Sequence, residues 1–187
     1  MRTLSSTLLL AGALFASRAL AQEPAFQPQG EVRFYSTGGM GSGASFDDTR
    51  IVGPDVNLTR REDGSWAGDI AGQDVNLVGG ESRLSGPQVN LTFKQKSGKT
   101  DVEGLFYGQR VRISIDPKKL KGRYGSCSFD LSRGRGPPVY RGDVGCLHEG
   151  QRLPSAGKAG VELIGEAAGE KPPAVQLGLA LVATLPR

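Results

Sequence analysis

Ile51-Val-Gly-Pro-Asp-Val-Asn-Leu58, Ile70-Ala-Gly-Gln-Asp-Val-Asn-Leu77, Leu84-Ser-Gly-Pro-Gln-Val-Asn-Leu91 and Phe106-Tyr-Gly-Gln-Arg-Val-Arg-Ile113 share one pattern. Each has an apolar residue, any residue, Gly, then Pro or Gln. A polar residue, Val, a polar residue and Leu or Ile complete it. If Gly and its successor are the two loop residues of a type II′ hairpin, glycine supplies the positive φ needed at the first loop position. That register sets Ile51 opposite Val56, Ile70 opposite Val75, Leu84 opposite Val89 and Phe106 opposite Val111. The next pairs are Leu77 with Gly68 and Ile113 with Gly104. Asn57, Asn76, Asn90 and Arg112 then face the other way, giving a sheet with one dry and one wet side. A β-bulge at each glycine is the competing arrangement, which keeps the strands and changes their pairing.

Working outward, the copies start 19, 14 and 22 residues apart. A solenoid keeps a near-constant period, so strands joined by unequal loops fit better. Turn residues at Glu62-Asp-Gly-Ser65, Gly79-Gly-Glu-Ser82 and Lys96-Ser-Gly-Lys99 separate further strands. Strands are expected near 31–36, 49–52, 56–60, 66–71, 75–78, 82–85, 89–95, 101–107 and 110–115. After Asp116-Pro117 come 124–131, 139–147, 160–164 and 175–185. The expected fold is an all-β antiparallel meander forming a sandwich or a partly open barrel. Val175–Leu185, which alternates large and small apolar residues, is read as a long core strand closing the sheet beside Val32–Tyr35.

Composition agrees. Of 187 residues, 28 are Gly and 11 are Pro. Glycine costs about 1 kcal/mol in a helix interior, which argues against a helical bundle. The absence of a three-residue glycine period excludes collagen. One histidine and two cysteines rule out four-cysteine zinc sites and histidine-rich metal sites, and neither a metal nor a cofactor is expected.

Met1–Ala21 reads as a signal peptide, with Arg2, an apolar run over Leu8–Ala16 and a cleavage site at Ala19-Leu20-Ala21. The run is too short for a transmembrane helix, which needs about 20 residues. Residues 22–48 follow as an N-terminal strand and a flexible Gly-rich loop, and 49–187 as a single all-β domain. The location is therefore periplasmic or extracellular. Oxidising conditions there favour a disulfide between Cys127 and Cys146. Pairing them across a hairpin also pairs Phe129 with Val144 and places the turn at Arg135-Gly-Pro-Pro138.

Chemical motifs are sparse. Gly38-Gly-Met-Gly-Ser-Gly-Ala-Ser45 lacks the following helix that a phosphate cradle requires. His148 stands alone as a catalytic base, two residues beyond Cys146, so a nucleophilic triad has no support. Asp47, Asp48, Asp55, Asp69 and Asp74 are candidates for a carboxylate pair of the glycosidase kind. Arg141-Gly-Asp143 falls inside an expected strand, where an adhesion tripeptide would not be displayed. Asn57-Leu-Thr59 and Asn90-Leu-Thr92 match the glycosylation acceptor.

Net charge is +4, but the surplus is local. Residues 118–141 hold seven basic side chains and one acidic: Lys118, Lys119, Lys121, Arg123, Arg133, Arg135 and Arg141, against Asp130. Such a patch attracts anionic partners, which outside the cytoplasm means polysaccharide, lipid headgroups or an acidic protein. Tyr124 and Tyr140 beside it do not make a nucleic-acid stacking platform, and no nucleic-acid partner is expected. The sequence points to a noncatalytic binding or envelope-structural module for an anionic envelope component. The alternatives are an extracytoplasmic hydrolase using paired carboxylates and a small outer-membrane barrel.

Overall fold

The computed structural model describes residues 26–37, 41–147 and 155–187. The expected signal peptide, residues 38–40 of the Gly-rich stretch and His148 lie outside the described residues. Fourteen strands form an antiparallel meander. They are β1 (Gly30–Ser36), β2 (Gly41–Phe46), β3 (Arg50–Gly53), β4 (Val56–Arg60), β5 (Trp66–Ile70), β6 (Gln73–Gly80) and β7 (Arg83–Gly86). Then come β8 (Val89–Lys96), β9 (Lys99–Phe106), β10 (Gln109–Ile115), β11 (Lys119–Tyr124), β12 (Cys127–Arg133), β13 (Val139–Cys146) and β14 (Ser155–Gly165). β14 pairs with β1, Phe34 opposite Val161 and Val32 opposite Leu163, so the barrel is closed. Closure leaves no edge strand exposed.

The repeats turn where the sequence places them, with a different register. In the Gly-Pro copies, Gly53 pairs with Val56 and Gly86 with Val89, so the glycine ends a strand and Pro54-Asp55 or Pro87-Gln88 makes the loop. In the Gly-Gln copies, Ile70 pairs with Gln73 and Phe106 with Gln109. Ala71-Gly72 and Tyr107-Gly108 are then the loops, with φ of 51° and 78°, and 54° and 71°. Positive φ at both positions is the type I′ turn, whose twist matches the strands it joins. Ile51 therefore faces Leu58, not Val56, and Val75 faces Gly68. Likewise Leu84 faces Leu91, Trp66 faces Leu77, Val111 faces Gly104 and Ile113 faces Val102. Each correction is a slip of two positions in the sum of paired numbers, in opposite directions for the two kinds of copy. A slip of two preserves the face of every side chain. The expected apolar residues are therefore still buried, and Asn57, Asn76, Asn90 and Arg112 still face out.

Two elements differ outright, and the stretch read only as a basic run forms a strand of its own, β11. Residues 41–46, expected in a flexible loop, form β2: its glycines weaken a strand, but pairing with β1 and β3 on its two sides holds it, and Ala44 and Phe46 alternate inward. Residues 174–184, expected as a strand, form helix α1 (Ala174–Thr184). A single 3-10 turn (Glu166–Ala168) leads from β14 towards it. The helix is apolar on all sides because it is surrounded: Leu177, Leu179, Ala180, Leu181 and Val182 are all within the core. A helix buried on every side loses the 3.6-residue alternation that would distinguish it from a strand.

At a rise of 1.5 Å per residue, its 11 residues make a plug about 16 Å long. It packs against β1–β3 on one side and β8–β9 on the other. Gly178 permits the second contact, since a methyl group there would lie 2.5 Å from Phe93 Cε1. The inward faces of the strands supply Val32, Phe46, Ile51, Leu58, Leu77, Leu91, Ile113, Leu120 and Leu131. Each such side chain contributes about 1.5–3 kcal/mol relative to exposure.

The disulfide joins directly opposed Cys127 and Cys146, with Cα atoms 4.0 Å apart. Phe129 pairs with Val144, and the connection at 134–138 makes the turn, as the cross-hairpin reading requires.

Candidate functional site

The alternation of β11 sends Leu120 and Tyr124 inward and Lys119, Lys121 and Arg123 outward. Its neighbour β10 buries Val111, Ile113 and Ile115 and exposes Arg110 and Arg112. Register then sets Arg112 directly opposite Arg123, and Ser114 opposite Lys121. Arg110, Arg112, Lys121 and Arg123 thus share one outer surface on two adjacent strands. Like charges directly opposed on a sheet repel. The nearest acidic partner to this row is Glu103 on β9, 3.7 Å from Arg112, whose side chain is 81% exposed.

A shallow depression of about 620 Å³ adjoins the row, lined by Arg83, Asn90, Glu103, Gly104, Arg110 and Arg112. Leu105, a large exposed apolar residue, also lines it.

The seven sequence-derived basic residues do not converge. Lys119, Lys121 and Arg123 share the face just described. Arg141 lies two strands away on the same outer surface, opposite Ser132. Between them, Asp130 and Asp143 stand opposite each other. Lys119 reaches to 3.9 Å from Asp130, and Lys158 binds Asp143 at 2.5 Å. Lys118 lies in the β10–β11 turn, its backbone N–H donating to Asp116. Arg135 is exposed in the 134–138 connection. Arg133 ends β12 on the inward side, near Tyr140 at the barrel end. Tyr124 and Tyr140 both point inward, and burial raises each hydroxyl above the ordinary tyrosine range. Arg110 and Arg112 were missed because they belong to a different stretch of sequence. The signal was available, since the fourth repeat already assigned Arg112 to the polar face.

Most of the candidate carboxylates sit at turns or on the outer surface. Asp47 accepts from the Thr49 and Arg50 backbone N–H groups at 2.7 and 2.6 Å. Asp69 accepts from the Gly72 N–H, and Asp55 lies in a two-residue loop. Asp69 and Asp74 are cross-strand partners on the outer surface. Among the described residues, no three His, Cys, Asp or Glu side chains gather as a metal set.

Inside the barrel the helix leaves a recess at each end. At its C-terminal end a cavity of about 600 Å³ has walls that include Phe34, Val144, Ala159, Val182 and Leu185. Arg187 lies at this end, its guanidinium 5.6 Å from the Tyr107 ring centroid. The Tyr107 hydroxyl donates to the Ile70 carbonyl, which ties the β9–β10 turn to the β5–β6 turn.

Comparison with protein-family models, with curated proteins and with solved structures finds no match to this chain.

Proposed function

We propose that the protein is an exported, noncatalytic binding module that holds an anionic envelope component on the outer surface of β10 and β11. The observation that carries this reading is the direct Arg112–Arg123 pair with Arg110 and Lys121 beside it. An anion lying across the two guanidinium groups relieves their repulsion, and arginine forks suit carboxylate and phosphate oxygens. The cross-strand disulfide supports an oxidising compartment. Of the candidate carboxylates, Asp69 and Asp74 lie on the outer surface and Asp47 is tied into a turn, whereas Asp48 lines the recess at the N-terminal end of α1 and Asp55 the one at its C-terminal end, so the five do not gather in one cleft. The outward polar residues, among them Asn57, Asn76, Asn90, Lys94 and Arg112, favour a water-facing barrel over a lipid-facing one.

The test is retention on an acidic polysaccharide and on vesicles containing phosphatidylglycerol, at low and high salt. The wild-type protein binds at low salt and is released by salt. The variant R112S/R123S loses most of this binding, while R135S retains it. Absence of binding to both surfaces at low salt overturns the proposal.

A further inference from the structure

We propose a second, separate site: the groove on the outer surface between Tyr35 of β1 and Arg141 of β13, which binds a neutral sugar ring with equatorial hydroxyls. The groove has a volume of about 630 Å³, and Val139, Gly160 and Glu162 line it together with those two side chains.

Register builds the site. Tyr35 stands opposite Gly160 on β14 and opposite Gly41 on β2, so neither neighbouring strand places a side chain directly across from it. Arg141 stands opposite Gly160 from the other side, and Val139 opposite Glu162. A methyl group at Gly160 would lie 3.8 Å from both Tyr35 Cδ2 and Arg141 Cγ, so Gly160 is the floor between them. Tyr35 is 42% exposed, which leaves a large aromatic surface in water. Its hydroxyl donates to Glu162 Oε2 at 2.6 Å, which holds the ring in one orientation. A side chain already held in place loses little freedom when a ligand stacks on it.

Hydrogen-bonding capacity sets the ligand class. Lys158, at the edge of the groove, is bound to Asp143 at 2.5 Å. Arg141 is exposed and enters none of the ion pairs among the described residues. Arg141 therefore supplies donors and Glu162 an acceptor in one groove. A hydroxyl both donates and accepts, so the hydroxyls of a single ring meet both groups. A carboxylate or phosphate would be drawn to Arg141 but repelled by Glu162. The C–H face of a pyranose with equatorial hydroxyls is flat and apolar, and it matches the face of Tyr35. Apolar surface with a few placed polar groups is the usual make-up of a small-ligand site. Neither Arg112 nor Arg123 takes part, so this site stands apart from anion binding on β10 and β11.

The Gly160 amide resonance reports occupancy, or the Tyr35 ring resonances where Gly160 is replaced. Cellotetraose, sorbitol and trigalacturonate are titrated against the wild-type protein, Y35A, Y35F, R141S and G160V. Cellotetraose gives saturable shifts in the wild type. Sorbitol, which has the hydroxyls without the ring, gives none, and trigalacturonate binds more weakly. Y35A raises the cellotetraose midpoint about tenfold, whereas Y35F keeps most of the affinity. R141S also raises it about tenfold. G160V fills the floor, where a Cβ makes only ordinary contacts, and abolishes the shifts. R112S/R123S leaves the cellotetraose titration unchanged. No saturable shift with cellotetraose, an equal response to sorbitol, tighter binding of trigalacturonate, or a wild-type midpoint in Y35A and G160V overturns the proposal.

Discussion

Asp63 shows how one side chain fixes a loop. Its carboxylate accepts from the Ser65 N–H at 2.9 Å and the Ser65 hydroxyl at 2.6 Å, closing the β4–β5 connection. The Ser65 hydroxyl, then its N–H, hold the carboxyl below the usual aspartate range. A carboxyl depressed in the fold stabilises above its unfolded pKa, about 3.9, and that stability is lost as pH falls through the folded value. The Tm of D63A should lie below wild type at pH 7, and the gap should narrow as pH falls below about 3.9. A gap that stays constant across that range contradicts the assignment. Gly104 is constrained differently. Its φ is 139°, and a Cβ would collide with the Asn90 carbonyl of the neighbouring strand. G104A should cost roughly 1–3 kcal/mol in urea unfolding. A neutral effect would mean that β8 and β9 are not this close.

Among the elements, α1 depends on one missing side chain. G178L must push Phe93 and Val102 aside, and overpacking of this kind costs about 1–3 kcal/mol. Truncating Leu181 to Ala at the same core should cost about 2–5 kcal/mol. If both variants melt with the wild type, the helix is not seated in the barrel. The disulfide closes a separation of 19 residues, so reduction should remove about 3 kcal/mol. An unchanged melting transition after confirmed cleavage would contradict a stabilising role.

These elements were unevenly legible in the sequence. The strands over 50–60 and 66–70 could be read because one face is dry and the other wet. Cys127 and Cys146 could be paired because a single hairpin joins them. The turn registers could not, since the shared glycine ends a strand in the Gly-Pro copies and is the second loop residue in the Gly-Gln copies. Helix α1 was misread because full burial erases its polar face. Length, Ala and Leu content and the preceding Pro172-Pro173 were the remaining helix signals. Strand β11 was read only as a charge run, though Leu120 and Tyr124 already alternated within it. At the candidate site, Arg123 was visible locally, whereas Arg112 joined it only through pairing of β10 with β11.

For the whole molecule, the decisive property is closure around an apolar plug. Strands over most of the chain turn polar residues to water and aliphatic ones to a helix within. Among the described residues no helix is long and apolar enough to cross a membrane. The outer surface is then available as a rigid, curved platform for charged partners, while the two barrel ends offer recesses of different chemistry. Closure sets β1, early in the chain, directly beside β14, late in it.

The most direct test is amide exchange and cross-strand contacts along the β1–β14 seam. The account predicts protected amides on both sides of β1, with contacts between Phe34 and Val161 and between Val32 and Leu163. Rapid exchange along the outer side of β1, with neither contact present, would describe an open sheet and contradict it.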